Sequence, residues 1–129
     1  MSEPCTYDYA VVRVVPDVAR GESLNAGVVL FAKSHGALLS RIHLDETRLA
    51  LLAPDADVAM IRSHLESIER ICEGGEVAGP HAELSASQRF HWLTAPRSTV
   101  IQLSAVHSGI CDDPAAEADR LFRRLVQQP

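Results

Sequence analysis

Residues 5–15, CTYDYAVVRVV, and residues 26–33, AGVVLFAK, decide the reading of the fold. Tyrosine and valine dominate the first segment, residue types that suit a pleated, half-buried surface, and Pro16 ends it. The second is a short apolar run of strand length. Residues 16–24, PDVARGESL, form a polar connection between the two. Ser34-His35-Gly36 then makes a tight turn into a third strand over 37–44, its hairpin partner. A fourth strand is predicted at TVIQL, 99–103, after a turn at Pro96-Arg97-Ser98.

Helical signals occupy the rest. Asp45 caps a short helix over 46–52, which Pro54 closes. Asp55 is the expected cap of the best helix in the chain. There Val58, Ile61, Leu65, Ile68 and Cys72 recur at steps of three and four and form one apolar stripe. Arg62, Glu66 and Arg70 alternate charge on the other face, and Gly74-Gly75 supplies the stop. Residues 76–84 read as a loop, and 85–93 as one or two helical turns. Asp113 caps a last helix with Pro114 at its first position and Ala118, Leu121, Phe122 and Leu125 as its buried stripe. The order β-β-β-α-α-β-α predicts an α+β fold, a mainly antiparallel sheet of about four strands with helices packed on one face. No repeat, low-complexity tract or linker is visible, and residues 1–129 read as a single domain.

Composition narrows the function classes. Seventeen acids against twelve basic residues give a formal charge of −5, which argues against non-specific nucleic-acid binding. Eleven of the twelve basic residues are arginine, Lys33 being the lone lysine. Residues 45–73 hold seven acids against three arginines, so the helices carry the acidity and the strands are close to neutral. Cys5, Cys72 and Cys111 are odd in number and form no CxxC pair, unlike a secreted disulfide framework. The N-terminal stretch lacks the pattern of a signal peptide, and the longest apolar run, 26–32, is far too short to span a bilayer. A cytoplasmic protein without a membrane segment is the expectation.

No pattern amounts to an active site. Six histidines occupy different elements without HxH or HxxxH spacing, so no metal or other cofactor is expected. Neither a nucleophile elbow nor a glycine-rich phosphate loop is present. Two polar clusters remain. The first runs over 22–27, ESLNAG, with Glu22 and Asn25 as candidate binding residues or as members of a simple turn. The second is RFHWLTAPRST at 89–99. There Arg97, with the hydroxyls of Ser98 and Thr99, has the donors to hold a phosphate or carboxylate. Equally, Arg97 pairs with Glu22 or Asp8 and Trp92 fills the core. On the first strand Tyr7, Tyr9, Val11, Arg13 and Val15 share one face. Tyrosine and arginine are enriched where a surface meets a partner, so Tyr7, Tyr9 and Trp92 form a candidate partner surface and Arg13 a candidate binding residue.

Four segments carry a family resemblance: YDYAVVRVVP at 7–16, GESLNAGVVLF at 21–31, RFHWLTAPRSTVIQ at 89–102 and DPAAEADRLFRRLV at 113–126. Together they resemble the uncharacterised bacterial family called domain of unknown function 3037. The resemblance transfers no catalytic residue. It implies a small bacterial cytoplasmic protein, and, because members are encoded beside proteins similar to HipA-type kinases, it implies such a kinase as a protein partner. The resulting expectation is a non-enzymatic binding or regulatory module that docks on a protein partner. The alternative is an enzyme or ligand sensor for a phosphorylated or nucleotide-like anion, with Arg13, Asn25, Arg97 and Ser98 lining one pocket. Homodimerisation through the sheet edge or face is a third reading.

Overall fold

A computed structural model describes residues 3–97 and 99–127. Its elements are β1 (Cys5–Val14), β2 (Leu24–Ala32), β3 (Ala37–Ile42), α1 (Glu46–Leu52), α2 (Val58–Glu73), α3 (Ala86–Thr94), β4 (Ile101–Leu103), β5 (His107–Cys111) and α4 (Pro114–Phe122). Two 3-10 segments, Lys33–His35 and Gly75–His81, connect elements, and a π-helical turn, Arg123–Gln127, prolongs α4. The fold is α+β. All strand pairs are antiparallel, in the order β3-β2-β1, with β4 and β5 sharing the far edge of β1. No helix among the described residues is long and apolar enough to cross a membrane.

The far edge of β1 is split. β4 pairs with Val12–Val14, and β5 pairs with the stretch from Cys5 to Tyr9. Val11 would be left without partners at the break. Ser104 repairs it: its N–H donates to the Val11 carbonyl at 2.9 Å and its Oγ accepts from the Val11 N–H at 2.9 Å. Ser104 is the buried polar residue of the described core, and its two bonds to Val11 satisfy backbone groups that burial would otherwise orphan.

Helices lie on both faces of the sheet, where one covered face was expected. On the first face Val12, Val14, Val29 and Phe31 pack against Leu49 of α1, Ile61 and Leu65 of α2 and Phe90 of α3. On the second, Tyr7, Val28, Leu30 and Ala32 pack against Ala118 and Leu121 of α4 and Val126 of the turn after it. The reason is visible in β2, whose residues are all buried except Asn25. A strand covered on both faces reads as a continuous apolar run, whereas one covered face gives alternation. A bulge in β2 beside Val12 and Arg13 leaves Ala26 outside the pairing and lets Leu24 and Ala26 both join the first core.

Local chemistry accounts for most element ends. Asp45 caps α1 and accepts from the Arg48 N–H at 3.1 Å. The cap of α2 is Asp57, not Asp55, because Ala53–Ala56 closes a turn first and carries Asp55 out of register. The 16 residues of α2 bury Ile61, Leu65, Ile68, Ile71 and Cys72. Ser85 and Gln88 form a reciprocal capping box on α3, and Asp113 caps α4 with Pro114 behind it. Gly36 closes the β2–β3 connection in the left-handed conformation. Within β2, Gly27 is required for close approach, since a Cβ there would stand 2.7 Å from the Arg41 carbonyl oxygen.

Candidate functional site

An apolar groove of about 270 Å³ opens between α2, α3 and the start of β4. Its floor is Ile68, Ile71, Leu93 and Ile101, all buried, and His64, Ser67, Trp92 and Arg97 stand along the rim. On α2 the contributors fall at 64, 67, 68 and 71, the spacing that brings side chains to one helical edge. Trp92, on α3, is 42% exposed, far from the core position that was one expectation for it. The Arg97 guanidinium lies over the indole ring, 4.5 Å from its centroid, and donates to the Trp92 carbonyl. His81 meets the same indole edge-on with 4.2 Å between ring centroids. A cation over an indole face is held by the ring quadrupole, so Trp92 is fixed in an exposed orientation. Among the described residues no carboxylate pairs with Arg97.

Arg89 ties α3 to the C-terminal end of α2. Its Nη1 donates to the carbonyls of Ile71 at 2.7 Å and Cys72 at 2.9 Å, and its Nε to the Leu84 carbonyl at 3.3 Å. The Ile71 and Cys72 carbonyls belong to the last turn of α2, where helix-terminal acceptors lack partners and a cation is favoured by the dipole. Gly74 makes room, since a Cβ at that position would meet the Arg89 guanidinium at 2.9 Å. Arg89 is therefore a structural cap supplied by α3 to α2.

The residues singled out from sequence do not gather at one place. Arg13 and Asn25 are register partners on β1 and β2. Val12 and Val14 point into the first core, so Arg13 between them points to the α4 face. Asn25 donates from Nδ2 to the Leu125 carbonyl at 3.0 Å and anchors the turn after α4. Glu22 pairs with Arg20 on the surface and borders a different cavity of about 200 Å³ between the β1–β2 connection and Ala53–Ala56. Asp8 accepts from the Ser108 Oγ at 2.6 Å, so neither Glu22 nor Asp8 pairs with Arg97. Ser98 lies outside the described residues. Arg13 and Asn25 thus sit on the opposite side of the sheet from Arg97, and a pocket shared by these residues is not formed.

Tyr7 is corrected as a surface residue. It is 6% exposed beneath α4, and its hydroxyl donates to the Glu117 carboxylate. Arg120 holds that carboxylate with two bonds, Nε to Oε1 at 2.7 Å and Nη2 to Oε2 at 2.8 Å. Burial, with the Glu117 carboxylate as acceptor, pushes the Tyr7 hydroxyl up to about 12. The Arg120 hydrogen bonds hold Glu117 below the usual carboxylate range. Tyr9 is half-buried, with its ring beside those of Tyr7 and His107. With all helices expected on one face, this tyrosine face reads as open; α4 instead covers it.

Among the described residues no three His, Cys, Asp or Glu side chains converge as metal ligands. Residues 9–126 match the model of the family described as Protein of unknown function (DUF3037). No curated protein and no solved structure matches the chain. The match runs from within β1 to the turn after α4, and the chain belongs to the DUF3037 family.

Proposed function

We propose that the chain is a non-enzymatic binding module that docks on a protein partner through the α2–α3–β4 groove. The observation that carries this reading is Trp92, held half-exposed by Arg97 beside a floor of isoleucine and leucine. Tryptophan and arginine are the side chains that most often anchor protein interfaces. The complementary segment presents an apolar side chain to the floor and a carboxylate to Arg97, whose charge no described acid neutralises. The family resemblance supplies the first partner to try, a HipA-like kinase of the bacterial cytoplasm encoded nearby.

Co-expression of the two proteins followed by size-exclusion chromatography tests both parts. The expected result is a stable complex that Trp92→Ala weakens at least roughly tenfold and Arg97→Ala weakens less. Absence of a complex with the wild-type chain would remove the kinase as partner. A complex indifferent to both substitutions would remove the groove as the docking site.

A further inference from the structure

Cys5 and Cys111 face one another as register partners across β1 and β5, with sulfurs 3.8 Å apart. Directly opposed residues of an antiparallel pair have Cα atoms about 4.5–5.5 Å apart, inside the span of about 4.4–6.8 Å that a disulfide bridges. Closing the sulfurs to a bond of about 2.05 Å needs side-chain rotation, with no change of strand register. We propose that Cys5 and Cys111 are a redox-active dithiol that a low-molecular-weight disulfide of the glutathione type oxidises to an intramolecular disulfide.

The two thiols have unequal access, which orders the steps. Cys5 is 8% exposed, whereas Cys111 is half-buried and reachable from solvent. Cys111 loses its proton to solvent and attacks one sulfur of the small disulfide. A mixed disulfide forms, and one small thiolate leaves and takes up a proton. Cys5 then loses its proton and attacks the Cys111 sulfur, forming the Cys5–Cys111 bond and releasing the second small thiol. The protein gives up two electrons and two protons, and the oxidant gains both as two thiols. Cys72 takes no part, because it is buried in the first core on the opposite face of the sheet.

Burial pushes the Cys111 thiol up to about 11, and the Cys5 hydrogen bond and the charges of Cys5, Glu117 and Asp112 add to the effect. The attacking species is the thiolate, so closure is slow at neutral pH and accelerates as pH rises. The bond would fasten the last residue of β5 to the first residue of β1, two positions before the Asp113 cap of α4. It would also close a loop of 106 residue steps. Oxidation therefore braces the α4 side of the sheet and leaves the groove untouched.

Incubation of the full chain with oxidised glutathione at mildly alkaline pH, followed by thiol titration and intact-mass measurement, tests the proposal. The expected outcome is loss of two of the three thiols, a mass lower by two hydrogens, and a peptide map joining Cys5 to Cys111. Cys72→Ser should still lose both remaining thiols, and Cys111→Ser should form no intramolecular link. Three persistent thiols, or a glutathione adduct on Cys111 that Cys5 never displaces, would overturn it. Wild type and Cys72→Ser are enough to decide the matter should a strand variant fail to fold. The measurement uses the chain alone, so its failure leaves the docking proposal untouched.

Discussion

The two faces of the sheet are covered by different means. On the first, α2 spans 16 residues and buries five apolar side chains, with α1 and α3 beside it. On the second, α4 spans only nine residues and buries Pro114, Ala118 and Leu121. Polar ties supplement this smaller apolar contact. Tyr7, Glu117 and Arg120 bond β1 to α4, Arg41 of β3 meets Asp119 at 2.6 Å, and Asn25 of β2 holds the Leu125 carbonyl. Where the helix is long, apolar burial supplies most of its contact with the sheet and leaves a rim of exposed side chains. Where it is short, directed bonds to each of the central strands set its position.

Core truncation should separate the faces most strongly. Leu65→Ala, in the larger core, is expected to cost about 3–5 kcal/mol, and Leu121→Ala, under α4, about 2–3 kcal/mol, both read by urea denaturation. Equal losses would mean that the second face contributes as much as the first. Next in size is Arg89→Ala, expected to cost about 2–3 kcal/mol because the α2 terminal carbonyls lose a charged donor. Hydrogen exchange should then rise first in the last turn of α2. A change confined to α3 would contradict the cap.

Ser104→Ala should cost about 1–3 kcal/mol, since the Val11 N–H loses its acceptor at the break between β4 and β5. The carboxylate clasp comes next. Glu117 has its folded-state pKa depressed, so its stabilisation is present above the ordinary carboxylate range and is lost as pH falls through the lowered value. Glu117→Gln should therefore flatten the acid limb of the stability profile and cost about 1 kcal/mol at neutral pH. An unchanged acid limb would show that the clasp contributes nothing. The smallest effect is expected at the groove, where Trp92→Ala and Arg97→Ala should alter stability by no more than about 0.5 kcal/mol. A larger loss would make the exposed tryptophan part of the core after all.

Much of the fold was legible in local patterns. The stripe of α2, the Asp45 and Asp113 caps, the Ser34–Gly36 turn and β1 were all readable, because each depends on neighbours within a few residues. β5 was not, since HSGIC carries little strand signal. Gly109 sits there to admit the Tyr7 ring, whose hydroxyl would stand 2.6 Å from a Cβ, and nothing near Gly109 in the chain announces that demand. β2 did hold a sign of two covered faces in its unbroken apolar run. Of the candidate site, Trp92 and Arg97 were visible as residue types, but their groove draws Ile68, Ile71 and Ile101 from elements far apart in the chain.

The sequence by itself determined the α+β class, the antiparallel hairpin and the ends of most helices, because periodicity and capping are short-range effects. Only the tertiary structure decided that α4 crosses to the second face, that Arg89 caps another helix, and that Arg13 and Arg97 lie apart. It alone also places Cys5 against Cys111. Those outcomes depend on which surfaces meet when both faces of β2 must leave water, and that choice is made by the whole chain at once.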